Sequence, residues 1–284
     1  MTVSLIVDSA ADISDERVAA WGVTVIPLKT IFDGTEYLDG VTLSSDEFFE
    51  KLVETDTLPT TSAIAPGEYA SAFEAELAKG NEVVCITLSS KLSACYQSAV
   101  IAASGFEGQT VYVVDSENAT LGEQLLVEHA VALRERGLRA QELVEELNAA
   151  KKKLRLVALV DTLEYLKRGG RVSASVALVG GLLNIKPVIS IENGEVAVLG
   201  QARGSKNGRN LLVEKARECG GIDYNKPYLT AYSGLSDALL KKYLADSAAH
   251  FPVDVNTIPV CKIGSTIGTH VGPGAVAVAF FSRS

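Results

Sequence analysis

The sequence contains few of the residues that build metal centres. Its 284 residues include four cysteines and three histidines, and the cysteines are scattered without a CxxC pair. Because zinc sites need Cys and His ligands at close spacings, we expect no metal site and no cofactor. Cys85 and Cys261 lie in apolar stretches, where a reduced cysteine packs as a small core residue. This pattern is typical of a cytoplasmic protein.

Cationic charge is also scarce, because 26 lysines and arginines face 35 aspartates and glutamates and the net charge is −9. Such a chain has no basic surplus to neutralise phosphates, so we expect no nucleic-acid partner. The one basic run, Lys151–Lys153 followed by Arg155, comes at the end of a helical pattern. There it can complement the negative end of the helix dipole, and a structural role is favoured.

Long hydrophobic runs are missing as well. The N-terminus has no basic segment followed by an apolar one, and Asp8 interrupts its hydrophobic run, so no secretory signal is expected. The apolar stretch from Val172 to Ile185 has 14 residues and two adjacent glycines, which is too short to cross a bilayer comfortably. Its default interpretation is a core helix, although it could line a slot for a lipid. We expect only transient contact with membranes.

Short β-branched segments alternate with helical patterns in the first half of the chain. In one of these helical patterns, Tyr69, Phe73 and Leu77 recur every four residues and form one face. Because strands and helices alternate, the sequence predicts a mostly parallel sheet flanked by helices. The predicted strands are Val3–Val7, Val23–Leu28, Val83–Leu88 and Val111–Val114. Helices are predicted to begin at two capping-box sequences, Ser44-x-x-Glu47 and Thr120-x-x-Glu123.

A hairpin signal marks the second half. Val188–Ile191 and Val196–Leu199 flank Asn193-Gly194, and Asn-Gly supplies the two positive φ angles of a type I′ turn. A hairpin means antiparallel neighbours, so this half is predicted to be an α/β domain with a mixed or antiparallel sheet. We therefore predict two domains, residues 1–160 and 161–284. The further predicted elements are the strands Tyr228–Tyr232, Val253–Ile258 and Ala275–Phe281, and the helices Leu211–Cys219 and Ala238–Ala249.

Two strands of the first half end in the same pair of residues, Asp8-Ser9 and Asp115-Ser116. Ligands of open α/β sheets lie beyond the carboxyl ends of the strands, so both pairs point at a predicted cleft. Alternatively, these residues cap the turns or helices that follow. Capping is favoured for Asp115, whereas the two interpretations are balanced for Asp8.

Two loops are dense in hydroxyl groups. Thr60-Thr61-Ser62 lies between two prolines, and Ser89–Ser93 follows the carboxyl end of a predicted strand. Hydroxyls and free backbone amides at a strand-to-helix turn can receive an anion. A single serine at such a place is usually a helix cap, but two such loops beside one crevice point weakly to an anion site.

The segment Gly264–Gly274 carries four glycines in eleven positions. Glycine is used where φ is positive or where the backbone approaches another group closely, so the sequence predicts a loop here. His270 lies within this segment, next to Thr269. A single histidine is usually structural, yet one held in a Gly/Thr-rich loop is favoured to face a polar ligand.

Together, these segments resemble the DegV family over essentially the whole chain. The resemblance rests most on three motifs in order: Gly169-Gly170-Arg171, Asn184-Ile185-Lys186-Pro187, and Gly268–Gly274 with the pattern GTHxGPG. It implies a two-domain α/β fold that binds a long-chain fatty acid. It also implies a separate ATP-dependent fatty acid kinase that converts the bound acid to an acyl phosphate, so that the protein is a binding subunit with no catalysis of its own.

The resemblance also assigns residues to the site. Thr61 and Ser93 are expected to hydrogen-bond the carboxylate, and His270 to complete the head-group site directly or through water. Arg203 is expected to act in kinase docking or phosphoryl transfer. The further candidates for ligand contact are Ser62, Asp8, Ser9, Arg171, Gly268 and Thr269.

The sequence departs from the family pattern at two places. Ala94-Cys95 follows Ser93 where the family usually has Gly-Thr, and this change bears on the carboxylate loop. After Arg203, the residues Gly204-Ser205-Lys206-Asn207 are less basic than is common in the family, and this change bears on kinase coupling.

Burial of the acyl chain supplies most of the expected binding free energy for such a ligand. About 15 methylenes at ~0.8 kcal/mol each give a gross gain near ~12 kcal/mol, before the costs of association and ordering. The polar side chains then need only to neutralise and orient the carboxylate. The sequence has neither a GxxxxGK[ST] loop nor a kinase signature, so phosphoryl transfer needs a partner that brings ATP.

Other functions stay open from the sequence. The protein could bind a different small ligand, or it could carry or sense a lipid without any kinase. It could also be a hydrolase that uses Ser93, His270 and either Asp8 or Asp115 as a triad. The hydrolase is disfavoured, because Ser93 is not in a GxSxG elbow.

Overall fold

The computed structural model describes residues 2–55, 57–108, 110–172 and 184–283. The predicted core helix or lipid slot at residues 172–185 lies almost wholly outside them. The elements of the first half are β1 (Val3–Asp8), α1 (Asp15–Trp21), β2 (Val23–Ile26), β3 (Lys29–Phe32), β4 (Thr35–Leu38), α2 (Ser45–Glu54), β5 (Thr60–Ser62), α3 (Pro66–Leu77), β6 (Glu82–Thr87), α4 (Cys95–Ala103), β7 (Val111–Asp115), α5 (Thr120–Glu135) and α6 (Ala140–Ala150).

The elements of the second half follow in chain order. They are β8 (Leu154–Leu159), α7 (Glu164–Arg168), β9 (Ile185–Glu192), β10 (Glu195–Arg203), α8 (Ser205–Glu218), β11 (Tyr228–Tyr232), α9 (Ala238–Ser247), β12 (Val260–Lys262), α10 (Ser265–Val271) and β13 (Val276–Phe281). Among the described residues, no helix is long and apolar enough to cross a membrane.

The first half builds a four-stranded sheet in the order β2-β1-β6-β7, and all its strand pairs are parallel. Successive residues of β6 point to opposite sides of this sheet, as the pleat of a strand requires. Val83 and Cys85 pack in a core with α3 and α4, whereas Val84 and Ile86 pack in a core with α5 and α6. The predicted parallel sheet with flanking helices is confirmed.

One of the two predicted capping boxes is formed. The Ser44 hydroxyl accepts a hydrogen bond from the Glu47 amide at 3.3 Å, and the Glu47 carboxylate accepts one from the Ser44 amide at 2.9 Å. The box predicted at Thr120 and Glu123 is wrong, although α5 does begin at Thr120. The Glu123 side chain is fully buried, and neither of its oxygens has a hydrogen-bond partner within the described ranges. It therefore points into the core instead of back to the helix start.

The second half builds a six-stranded mixed sheet in the order β10-β9-β8-β13-β11-β12. The β9–β10 hairpin is confirmed, with φ of 51° at Asn193 and 84° at Gly194. Strand β8 pairs with β9 and β13, so this sheet begins at Leu154. The boundary predicted at residue 160 places that strand with the first half, but its hydrogen bonds place it in the second sheet.

The strand predicted at Val253–Ile258 is wrong. Val255–Thr257 form one turn of 3₁₀ helix, and Asp254 Oδ1 accepts a hydrogen bond from the Asn256 amide at 2.9 Å. A side chain that bonds the backbone two residues on stabilises a turn in competition with a strand.

The glycine-rich segment predicted as a loop is mainly the helix α10. This helix packs against α2, and a Cβ added at Gly268 would lie 2.5 Å from Phe48 Cε1 and 3.0 Å from Phe49 Cζ. Gly268 is therefore needed because α2 and α10 approach each other closely, and not because its backbone has an unusual conformation. The loop prediction failed because a glycine needed for packing and a glycine needed for positive φ look alike in a sequence.

A small antiparallel sheet, β4-β3-β5, completes the fold and contacts α10. Thr61 lies on its edge strand β5, opposite Thr30 of β3. The Thr30 hydroxyl lies 2.8 Å from the hydroxyl of Ser265 at the start of α10. This sheet therefore holds Thr61 beside a helix that is more than 200 residues away along the chain.

The close contact at Gly268 gives a stability prediction. Gly268→Ala should lower the free energy of unfolding by about 1–3 kcal/mol, because the added methyl overpacks the α2–α10 contact. Gly67→Ala is the matched control, since Gly67 lies in α3 and a Cβ there meets nothing within 4 Å. Its stability should be unchanged or slightly raised. Urea denaturation of both variants measures the difference, and equal stabilities would contradict the proposed contact.

Candidate functional site

The face of the six-stranded sheet that is turned toward the first half of the chain carries several alanines. On β13, Ala277 and Ala279 belong to the core shared with the first half, whereas the alternate residues Val276, Val278 and Phe280 pack on the opposite face. Ala158 of β8 and Ala231 of β11 lie on the same side as these alanines. Small residues on one face leave room that larger ones would fill.

A cavity of about 240 Å³ occupies this room. Of the 25 described residues that line it, 19 have apolar side chains. The sheet contributes Ala158 and Ala277, α10 contributes Ile267, and the loop after β6 contributes Leu92. Concave apolar sites with a few polar groups are typical binding sites for small amphipathic molecules.

The polar residues of the lining include the three predicted carboxylate ligands, Thr61, Ser93 and His270, together with Arg171. They come from four separate segments: β5, the loop before α4, helix α10 and the turn after α7. Thr61 Oγ1 lies 2.9 Å from His270 Nε2. Arg171 Nε donates a hydrogen bond to the carbonyl of Leu92, next to Ser93, at 3.1 Å. The fold therefore brings these four residues to one cavity.

His270 is held as a neutral ring. Burial, with a smaller effect from the positive charge of Arg171, lowers the pKa of His270 from 6.5 to about 4. Its Nδ1 is buried and has no hydrogen-bond partner among the described residues. A Cβ added at Gly169 would lie 2.2 Å from that atom, which explains why the ring needs a glycine as its neighbour. If Nε2 donates to Thr61, the Thr61 hydroxyl proton is free for a ligand.

With the described residues, Ser93 forms weak hydrogen bonds. Its hydroxyl donates to Cys95 Sγ at 3.3 Å and accepts from the Cys95 amide at 3.3 Å. Sulfur is a weak acceptor, so the Ser93 hydroxyl can donate its hydrogen bond to a stronger acceptor such as a carboxylate instead. Burial raises the pKa of the Cys95 thiol to about 11, which keeps this thiol neutral. The departure from the family pattern at Ala94-Cys95 is therefore compatible with an available Ser93 hydroxyl.

Arg171 brings a positive charge to the cavity. Its Nη1 donates to the Gly169 carbonyl at 2.5 Å, and its Nε donates to the Leu92 carbonyl. Burial lowers the pKa of the guanidinium, but an arginine stays protonated in proteins. None of the described residues that line the cavity is an aspartate or a glutamate. A fixed cation beside hydroxyls and a neutral imidazole favours an anion.

Asp8 and Ser9, predicted as candidates for ligand contact, do not line this cavity. Asp8 is completely buried, and its carboxylate accepts hydrogen bonds from the amides of Ala10 and Leu88. Burial raises the pKa of Asp8 to about 7. Ser9 donates to Asp39 at 3.0 Å. Both residues have structural partners and line a second cavity that is rich in aspartates.

Four other candidates also lie off the cavity. Gly268 packs on α2, and Thr269 donates a hydrogen bond within α10 to the carbonyl of Ser265. Ser62 donates to the carbonyl of Ala63 at 3.4 Å. Arg203 ends β10 with an exposed side chain. Within the described part of the chain, no cluster of three or more His, Cys, Asp or Glu residues is arranged to hold a metal.

Thr266 is a cavity residue that the sequence reasoning missed. It lies one helical turn before His270 on α10, and its buried hydroxyl has no hydrogen-bond partner in the part of the chain that the structure describes. Residues four apart share one face of a helix. Reading the segment as a helix would have paired Thr266 with His270, but its glycines led to a loop prediction.

The family model, the sequence relatives and the solved structures that match this chain agree on one family. A model of the DegV family matches residues 2–283. A DegV domain-containing protein of Deinococcus radiodurans is 36% identical over 284 residues, covering 98% of each chain. Among solved structures, a DegV family protein of Thermus thermophilus described by its fatty acid binding has a TM-score of 0.89 at 32% identity, covering 99% of this chain and 100% of that one. A stearic acid-binding protein of Eubacterium ventriosum has a TM-score of 0.89 at 28% identity, covering 100% and 99%.

The state of His270 can be measured directly. In the ligand-free protein, an NMR titration of its ring should give a pKa of about 4. Because this value lies below that of the unfolded chain, the unfolded chain binds the proton first. The contribution of His270 to stability should therefore be lost as the pH falls from about 6.5 toward 4. His270→Gln identifies the signal among the three histidines, and a midpoint near 6.5 would show that the ring is not buried as described.

Proposed function

This chain belongs to the DegV family, and we propose that it binds a long-chain fatty acid, with the acyl chain in the apolar cavity and the carboxylate at Thr61, Ser93, Arg171 and His270. The observation that carries the proposal is that these four polar residues open into one cavity whose other described lining residues are almost all apolar. The solved relatives described as binding fatty acids support the same class of ligand.

The head group fits the chemistry of the polar residues. A carboxylate has two oxygens that accept several hydrogen bonds and no donor when ionised. Arg171 supplies the charge, and the hydroxyls of Thr61 and Ser93 supply neutral donors. His270, which is neutral at physiological pH, orients Thr61 through their hydrogen bond of 2.9 Å. Neutralisation by Arg171 matters because an unpaired carboxylate in an apolar cavity is costly.

The tail fits the alanine-rich face of the sheet. Ala158, Ala231 and Ala277 are among the lining residues, and each leaves space beside the backbone of the sheet. Burial of each methylene contributes about 0.8 kcal/mol. A long chain therefore supplies most of the affinity, whereas the polar residues supply orientation and the preference for an acid.

We further propose that a separate ATP-dependent kinase receives the bound acid, so that the protein presents a substrate and is not an enzyme by itself. The family resemblance supports this, together with the exposed Arg203 at the end of β10. Lipid carriage or sensing without a kinase is the alternative.

The hydrolase hypothesis has no support in the geometry. His270 is hydrogen-bonded to Thr61 and not to Ser93. The Asp8 carboxylate is used by backbone amides, and Asp115 Oδ1 accepts from the amides of Ser90 and Glu117. None of these candidate residues is therefore placed to activate the Ser93 hydroxyl as a base.

Organic extraction of the purified protein followed by mass spectrometry tests the ligand itself. The delipidated protein should then bind octadecanoic acid, and Arg171→Gln should weaken binding about 10- to 100-fold, as expected for loss of one charge-assisted hydrogen bond. Arg168→Gln is the matched control, because Arg168 is exposed and pairs with Glu164. Absence of any extracted or added fatty acid would overturn the proposal.

The kinase proposal has its own test. Purified protein loaded with fatty acid should yield acyl phosphate when its host's candidate kinase, ATP and magnesium are added. Arg203→Ala should reduce this product while fatty acid affinity stays unchanged, because Arg203 is not among the residues that line the cavity. Normal binding with no acyl phosphate from any candidate kinase would favour carriage or sensing instead.

A further inference from the structure

Helix α10 carries His270 and Thr266, yet it is too short to hold its own position. It has seven residues, and helices of this length have no stability in isolation. Its place must therefore come from contacts with the rest of the protein. One contact is the packing of Gly268 on α2. Further contacts gather at its first turn and involve side chains of the first half of the chain.

We infer that Asp39, which lies outside the ligand cavity, is a positioning residue that docks the start of α10 and thereby aims His270 and Thr266 into the cavity. The inference rests on the proposed function only for the identity of the ligand in the cavity. The contacts between Asp39 and α10 do not depend on any ligand. It assigns a role in binding to a residue that the family motifs did not single out.

The Asp39 carboxylate is fully used by hydrogen bonds. Its Oδ1 accepts from the Ser265 amide at 2.9 Å and from the Ser265 hydroxyl at 2.7 Å. Its Oδ2 accepts from the Ser9 hydroxyl at 3.0 Å. Asp39 is 5% exposed, so these bonds are largely shielded from water. Hydrogen bonds to a buried charged group are among the stronger ones in proteins.

Two neighbouring side chains reinforce this junction. Asp12 Oδ1 accepts from the Gly264 amide at 2.8 Å, and the Ser45 hydroxyl donates to the Ile263 carbonyl at 2.6 Å. A Cβ added at Gly264 would lie 2.8 Å from the Asp12 carboxyl group and 3.0 Å from that of Asp39. Burial and the neighbouring Asp39 raise the pKa of Asp12 well above its ordinary value, so the Asp39 carboxylate is the group that complements the helix dipole here. The first glycine of the motif therefore lets both carboxyl groups reach the helix.

Asp39 connects to the cavity along two routes. Along α10, Ser265 lies five residues before His270, which is roughly 7.5 Å along the helix axis. Through Ser9, the network reaches the amide of Leu28, whose hydrogen bond to the Ser9 hydroxyl is 3.0 Å, and Leu28 lines the cavity. A shift of the α10 start would therefore move the Thr61–His270 contact as well as one apolar wall.

Asp39→Asn is the decisive variant, because it keeps the shape of the side chain but replaces one acceptor oxygen with a donor. The resulting amide has a single oxygen, so it cannot accept from both Ser265 and Ser9 as the carboxylate does. In the ligand-free variant, the pKa of His270 should rise from about 4 toward 6.5, because the ring leaves its buried place beside Thr61. Octadecanoic acid should bind roughly 10-fold more weakly, as for loss of one buried hydrogen bond.

Asp46→Asn is the matched control. Asp46 lies on α2 at the same junction and forms an ion pair with Lys262, but its side chain is largely exposed. Loss of the same charge there should leave both the His270 titration and the affinity unchanged. Asp39→Glu should bring the pKa of His270 part of the way back toward about 4. The carboxylate charge is kept in this variant, and only the length of the side chain changes.

The outcomes separate the two proposals. If the wild type binds no fatty acid, the proposed function fails, while the His270 titration still tests the docking role of Asp39. If Asp39→Asn keeps both the low His270 pKa and full affinity, the positioning role is overturned. Should Asp39→Asn fail to fold, Ser265→Ala removes only the hydroxyl contacts with Asp39 and Thr30. Ser265→Ala should then show a smaller shift of the same sign, and no shift would overturn the inference.

Discussion

The contact of helix α10 with the first half of the chain is the constraint on which the rest of this structure depends. The helix is short, it follows a short strand of the second sheet, and its partners Phe48, Phe49 and Asp39 all belong to the first half. Because it lies there, His270 meets Thr61 on an edge strand more than 200 residues away. The cavity exists between these two halves, so the position of one helix decides both its shape and its chemistry.

The cavity combines two properties that are usually in conflict. An apolar lining favours an acyl chain but penalises a carboxylate. The fold resolves this with one cation, Arg171, held by main-chain oxygens, and with hydroxyls whose present partners are weak or neutral. The same burial that keeps His270 neutral leaves the cavity with a single positive charge in its described lining. Binding of an amphipathic acid then needs no large rearrangement of charge.

Much of the fold follows from local patterns in the sequence. The parallel strands were predicted from β-branched runs, and the β9–β10 hairpin from Asn193-Gly194, because these signals depend on backbone preferences of neighbouring residues. Thr61, Ser93 and His270 were predicted as site residues from hydroxyl-rich loops and a family resemblance, and the structure places all three on one cavity. The failures share a cause. Glu123, Gly268 and the turn at Asp254 depend on what lies opposite them, and a sequence does not record that.

The sequence by itself therefore determined the class of fold, the alternation of elements and the residue types available for an anion site, because these follow from periodicity and side-chain chemistry. Only the tertiary structure decided that the glycine-rich motif is a helix, that Asp8 and Ser9 are structural, and that Thr266 and Arg171 line the cavity. It also decided the role inferred for Asp39. The physical reason is that long-range packing chooses which polar groups are buried together, and burial sets their pKa values and their partners.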